Sequence, residues 1–284
     1  VTVVTGVTET SKDIAPNGVL RAAINLGNPV LAQGTPAAPA GVTVDIAREL
    51  GARLGVPVDL ACFAAARESF EAMAQGDADI CFLAVEPARA AQVAFTAPYV
   101  VIEGVYVVPA GSGLAAPADL DRDGVRIGVN EGSAYDLFLS RTLEKASLVR
   151  GDDGIALFRE QGLEAAAGIR QVITAFVAEN PEFRLVDQGF MQIRQALGTT
   201  LTRTPDTIRF LAAFIEDLKA SGFIAAALRR SGQDAALFAP PAPPAASAPP
   251  AASAPPAASA PPAASAPPAA SAPPAASAPP APSA

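Results

Sequence analysis

The chain of 284 residues has no histidine and only two cysteines. Without histidine there is no Ser-His triad, no imidazole general base and no His-ligated metal. Cys62 and Cys81 are too few for a thiolate zinc site or a disulfide framework, so no metal and no cofactor is implied. No Lys/Arg run interrupts a sequence whose net charge is −8, which argues against nucleic acid and anionic membrane as partners. Long apolar runs are missing too. The best candidate, Ala94 to Gly111, is broken by Pro98, Glu103 and Pro109 and reads as strands with a turn. Val1 to Asn17 mixes polar and apolar residues without a basic n-region, so it does not read as a secretory signal. With the usual catalytic apparatus absent, a binding role leads.

What is present falls into two parts. From Ala239 to Ala284 only Ala, Pro and Ser occur, and from Ala242 the unit Ala-Pro-Pro-Ala-Ala-Ser repeats. Paired prolines forbid helix and deny a sheet its donors, so this tail is expected to be disordered or polyproline-II-like. It reads as a spacer or solubilising segment, with a proline-recognition ligand as the alternative. Residues 1–238 carry every charge and have room for one large domain or two small lobes.

From Leu20 onward, short apolar runs alternate with amphipathic stretches, the pattern of an α/β protein with parallel strands. Strands are expected at Leu20–Leu26, Val58–Phe63 and Asp79–Val85, the last apolar enough to be buried on both faces. Helices are expected at Asp45–Leu54, stopped by Gly55 and Pro57, and at Glu68–Gln75 with Phe70, Met73 and Ala74 inward. The Pro/Ala/Gly stretch between the first strand and the first helix reads as a loose loop. Glu86-Pro87 opens a short helix. Tyr99 to Val108 reads as two extended segments broken at Glu103-Gly104. A second series follows: strands at Val125–Val129, Leu148–Val149 and Glu164–Gly168, and helices from Ser133, Asp152 and Arg170. Phe183–Val186 and Met191–Leu197 read as two further strands, ahead of helices from Thr204-Pro205 and Phe223.

The order of these motifs resembles the family-three solute-binding proteins of bacterial ABC transporters. The resemblance runs from Gly18 to Gly232. It rests on Gly18-Val19-Leu20-Arg21-Ala22-Ala23-Ile24, Gly41-Val42-Thr43-Val44-Asp45-Ile46-Ala47 and Gly76-Asp77-Ala78-Asp79-Ile80. It continues through Glu86-Pro87-Ala88-Arg89 and Val93-Ala94-Phe95-Thr96-Ala97-Pro98-Tyr99, then Val125-Arg126-Ile127-Gly128-Val129 with Gly132-Ser133, and Leu218-Lys219-Ala220-Ser221-Gly222-Phe223-Ile224. What it implies is an α/β, two-lobed type II periplasmic-binding-protein-like fold with two crossings, to which the composition adds the disordered Ala/Pro/Ser C-terminal tail. Behind an N-terminal segment of residues 1–17, lobe 1 would be residues 18–107 plus 197–238, lobe 2 residues 108–196, and the tail residues 239–284. It also implies a small carboxylate-bearing ligand held between the lobes, an ABC permease as membrane partner and a periplasmic location; a monomer is expected because neither the pattern nor the composition requires an exposed apolar face. The sequence itself, with no signal in Val1 to Asn17, leaves the cytoplasm open. In such a fold the first strand separates those carrying Cys62 and Cys81, which puts the two thiols beyond disulfide reach.

By the same resemblance Arg89 would grip the ligand carboxylate, because guanidinium offers two parallel N–H donors. Gly132, Ser133, Ala134 and Tyr135 form a turn opening a helix, where free N–H groups and the dipole favour an anion. Leu83, Ala84 and Val85 would offer only backbone groups, and Asn28 stands in the turn after the first strand. Amino-acid-binding relatives carry an aspartate just past the strand at Glu164–Gly168; here the chain reads Gly168-Ile169-Arg170-Gln171. Arg170 and Arg67 are expected as further anion contacts, which would favour a dicarboxylate, or else as solvated surface charges. Glu103 is expected as a replacement acid, or else as a hinge residue. Phe63, Phe70 and Tyr99 are aromatic candidates for a cleft wall, although Phe70, at helical spacing with Met73, is expected in the core instead.

The leading reading is a transport component that binds its solute with hinge closure. An alternative on the same scaffold is a lyase similar to cyclohexadienyl dehydratase, whose carboxyl general acid would be Glu103 or Glu131. A ligand-sensing domain is the third reading.

Overall fold

The structure is a computed structural model in which residues 9–242 are described. Residues 1–8 and the repeat beyond Ala242 lie outside the described residues, and with them the expectation of a disordered tail. Described first is a short helix, α1 (residues 9–14), which packs Ile14 into the core. Strand β1 (Leu20–Asn25) leads to a small hairpin, β2 (Gln33–Thr35) and β3 (Ala38–Ala40), where a loose loop was expected. Helix α2 (Val42–Leu54) starts three residues earlier than its polar pattern suggests and ends at Gly55, whose φ of 70° is the left-handed cap glycine adopts freely.

Then come β4 (Val58–Phe63), α3 (Ala66–Gln75), β5 (Ile80–Ala84), α4 (Pro87–Ala90) and the unforeseen β6 (Val93–Phe95). The α3 helix buries Ser69, Ala72 and Met73, while Ala74, expected inward, is exposed. Strand β7 (Val100–Pro109) is continuous, with no break at Glu103-Gly104. The second series is β8 (Arg126–Asn130), α5 (Ala134–Thr142), β9 (Ser147–Gly151), α6 (Gly154–Gln161), β10 (Ala165–Ile169) and α7 (Arg170–Glu179). The two strands expected between Phe183 and Leu197 are one long strand, β11 (Phe183–Thr200), with a register shift between Val186 and Met191. Helices α8 (Pro205–Ala220) and α9 (Phe223–Arg230) close the body.

One sheet orders its strands β4-β1-β5-β11-β7-β10-β8-β9, with β6 beside β11. β1 runs parallel between β4 and β5, and β8 parallel between β10 and β9. The antiparallel pair β7 and β11 joins these two parallel sets, and these strands are the two crossings. Cys62 on β4 and Cys81 on β5 flank β1, and both are free. Tyr99 is core rather than cleft wall, its ring edge-on to Phe82 with centroids 6.1 Å apart. Phe63 and Phe70 pack on the small cluster around Met73 and Cys81.

The chain does not leave the body at Ala239, where the tail was expected to begin. Phe238 bridges to Val100, the Ala239 N–H donates to the Tyr99 carbonyl at 2.9 Å, and buried Lys219 donates to the Pro240 carbonyl at 3.1 Å. Among the described residues, no helix is long and apolar enough to cross a membrane.

Candidate functional site

The turns at the carboxyl ends of the parallel strands converge on one cleft, where ligands sit in open α/β sheets. Asn25 ends β1 and Asn28 follows it, Ala64 to Arg67 follow β4, and Leu83, Ala84 and Arg89 end or follow β5. From the other set come Asn130 at the end of β8 with Glu131 and Ser133 to Tyr135 after it, Gly151 and Asp152 at and after the end of β9, and Ile169 at the end of β10. Ile193 and Gln195 on β11 complete the lining.

Arg89 lies at the base. Pro87 in the first turn of α4 starts the helix abruptly, and the side chain turns inward until it is 2% exposed. Its Nη1 donates to the Ala84 carbonyl at 3.2 Å and its Nη2 to the Gly132 carbonyl at 2.8 Å. Among the described residues no carboxylate stands within salt-bridge distance of it. Burial pulls its pKa down to about 10, opposed by Cys81 and Glu86, which still leaves it charged at neutral pH.

The opposite wall is the start of α5. Ser133 caps the helix, accepting from the Asp136 N–H at 3.1 Å, and its own N–H donates to the Asn130 carbonyl. The Gly132 N–H donates to the Asp136 carboxylate at 2.9 Å. The turn therefore uses two of the four N–H groups expected to hold an anion. Those of Ala134 and Tyr135, in the first turn, have no acceptor within their helix, and both residues line the cleft. Burial pushes the Tyr135 hydroxyl up to about 12.

The two walls already touch. Besides the Arg89 bond to Gly132, Arg67 meets Glu131 at 2.6 Å and Arg141 meets buried Glu86 at 2.5 Å. Gly132 has φ 68°, and a Cβ there would lie 2.9 Å from the Arg67 Cβ, so glycine permits both the turn and the approach.

Three expected contacts lie elsewhere. Arg170 donates to Glu103 at 2.5 Å and to the Asp187 carbonyl at 2.6 Å, so the pair neutralises itself away from the cleft. Val85 faces a separate groove that includes Arg194 and Pro240. Arg67 does line the cleft, as a partner of Glu131 rather than an uncommitted anion contact. Asn28 lines it too, but its Oδ1 accepts from the Val30 N–H at 3.2 Å to close its own turn.

Sequence reasoning missed Gln195, Ile193, Asn25 and Asn130. Gln195 is 6% exposed, lines the cleft, and makes no side-chain hydrogen bond among the described residues. The one signal was a polar residue at an inward position of an otherwise apolar strand end, Gln195-Ala196-Leu197. Among the described residues no cluster of acids or thiols is placed to hold a metal.

A sequence profile of the bacterial extracellular solute-binding proteins, family 3, matches residues 20–233. The chain belongs to that family. Its fold is that of solved relatives, each below a quarter identical. ArgBP from T. maritima, in a mutant form, shares 21% identity over 78% of this chain and 99% of that one, with a TM-score of 0.66. The solute receptor for L-cysteine of Neisseria gonorrhoeae shares 22% over 78% and 92%, also at 0.66. The ancestral amino acid-binding protein AncCDT-1, a precursor of cyclohexadienyl dehydratase, shares 17% over 78% and 98%, at 0.65. Comparison with curated proteins gives no match. In this family-3 protein the two crossings are β7 and β11, and the cleft lies between the strand sets they join.

Proposed function

We propose that this family-3 protein binds a small solute through a carboxylate, closes over it by bending at β7 and β11, and presents the closed form to an ABC permease as a monomer outside the cytoplasm. The observation that carries the reading is Arg89, a buried guanidinium with carbonyl partners and no acid. A ligand carboxylate between it and the Ala134 and Tyr135 N–H groups gives Arg89 a counter-charge and those groups an acceptor. The existing cross-cleft ion pair of Arg67 and Glu131 is half exposed and worth about 0–1 kcal/mol, so ligand contacts decide how fully the closed form is populated.

Binding without turnover is favoured over a lyase. Glu131 is tied to Arg67, and Glu103 is tied to Arg170 outside the cleft, so neither acid is poised to protonate a leaving group. Prephenate should therefore be recovered unchanged after incubation.

The test is a thermal-shift panel of carboxylic acids on the full chain. A ligand at a thousand times its Kd adds about 4 kcal/mol, or roughly 8–16 °C for a body of this size. A saturable shift that disappears in Arg89→Ala is expected. A ligand held equally well by Arg89→Ala would sink the assignment.

A further inference from the structure

The charge inventory of the cleft narrows the ligand further, given that the carboxylate reading above is correct. We infer that the ligand is a 2-oxo or 2-hydroxy acid rather than a zwitterionic amino acid, and that Gln195 is the residue that makes the distinction. One full charge is buried in the cleft, and it is the cation of Arg89. The two acids on the lining lie at the rim: the Glu131 side chain is 49% exposed and already paired, and that of Asp152 is 99% exposed. Other buried acids nearby point elsewhere, Glu86 to Arg141 and Asp136 to Arg150.

An ammonium carried in beside the carboxylate would be stripped of water with no buried acid to receive it, and an uncompensated buried charge is among the costliest arrangements a protein can hold. A carbonyl or hydroxyl oxygen at the same carbon needs only a neutral donor. Gln195 supplies one. It lies on β11 in register with Ala84 of β5, next to the carbonyl that Arg89 binds, and its amide is uncommitted. Ile169 and Ile193 on the same lining favour an uncharged remainder.

The experiment is calorimetric titration of the full chain with matched triplets: pyruvate, lactate and alanine; 2-oxoisovalerate, 2-hydroxyisovalerate and valine; phenylpyruvate, phenyllactate and phenylalanine. In the triplet with the fitting side chain, the oxo or hydroxy acid should bind at least tenfold tighter than the amino acid. Gln195→Glu, which keeps the shape and adds a buried acid, should reverse that order, and Gln195→Leu should weaken the oxo acid without lowering the unliganded melting temperature. An amino acid that binds as tightly as its oxo partner overturns this inference and leaves the carboxylate reading intact. An unreversed order in Gln195→Glu overturns the role of Gln195. No heat from any triplet overturns the inference as framed, and the wider acid panel with Arg89→Ala then decides the parent reading separately.

Discussion

Strand β5 carries a buried charge beyond each end, and the two are treated differently. Before it stands Asp79, its side chain 2% exposed. Arg21 holds its carboxylate through Nη2 at 2.8 Å and Nε at 3.1 Å, with the Arg21 backbone N–H at 2.9 Å, and Arg203 adds a contact at 3.3 Å. After it stands Arg89, equally buried, with two backbone carbonyls and, among the described residues, no acid. The first centre is satisfied within the chain and ties the start of β5 to β1 and to the turn before α8. The second leaves a charge uncompensated at the carboxyl end, where the cleft opens. A saturated buried ion centre specifies a fold, whereas an unsaturated one specifies what must come from outside.

Removing the acid from the saturated centre should have the largest effect on stability. Asp79→Ala leaves Arg21 without its acid and Arg203 with only the looser contact to Asp13 at 3.9 Å, and breaking a buried pair this way costs about 3–5 kcal/mol. The melting temperature should fall by roughly 6–20 °C with or without ligand, as read by calorimetry. A drop below about 2 °C would mean that the two centres are not different in kind.

The unsaturated centre should give the opposite signature. Arg89→Met keeps side-chain bulk and removes an uncompensated charge, so the unliganded protein should melt no lower than the parent and could gain. Affinity for a carboxylate ligand should fall by at least about a hundredfold, within the range for truncating one side of a buried charge pair. Lower stability combined with unchanged affinity would reverse the roles assigned to the two centres.

The parallel strands, their order of appearance and the turn that opens α5 were legible in the sequence because hydrophobic period, glycine stops and the Ser133 cap are local signals. Arg89 was legible through its motif. What stayed hidden depends on distant pairing. The break expected at Glu103-Gly104 vanishes because β11 pairs with both residues and β10 pairs with β7 as far as Gly104. Arg170 follows β10 directly, as a ligand contact should, yet Glu103 on the neighbouring strand captures it. Gln195 gave only one local signal, a polar residue at an inward strand position, and that signal does not say that its amide, unpaired among the described residues, lies at a cleft. Proline-rich composition likewise masked the docking of residues 238–242, which make backbone bonds with Tyr99, Lys219 and Glu216.

Acid should separate the two strand sets by a smaller margin. Arg126 holds the Glu164 carboxyl below its ordinary value, as do the backbone N–H groups of Ala146, Lys145 and Glu144 for Asp121, and those of Ala115 and Ala116 for Asp119. All three groups brace the β8–β10 side, against one carboxyl lowered on the other side, Asp13 beside Thr204. A carboxyl whose folded pKa is depressed contributes stability that is complete above its unfolded value and is lost as pH falls through the folded one. Stability on this account should be flat from pH 8 to about 5 and decline below about 4. Amide exchange should then rise first around residues 126 and 144–146, before β1 and β4. Loosening of β1 and β4 first would place the acid-sensitive groups on the wrong side.

The smallest effect is expected from the rim of the cleft, where charge is paired but wet. Arg67 and Glu131 meet at 2.6 Å across the cleft, with side chains 36% and 49% exposed. A pair so open to solvent contributes about 0–1 kcal/mol to closure. Arg67→Ala should therefore weaken ligand binding no more than about fivefold. Raising salt should erase the difference between parent and variant, because screening acts on the rim while the buried contact at Arg89 is largely shielded from it. Titrations of both proteins at low and high ionic strength would show it. A loss in Arg67→Ala as large as that in Arg89→Met, and insensitive to salt, would mean that Arg67 leaves Glu131 to hold the ligand directly, which is the second-anion contact its position after β4 first suggested.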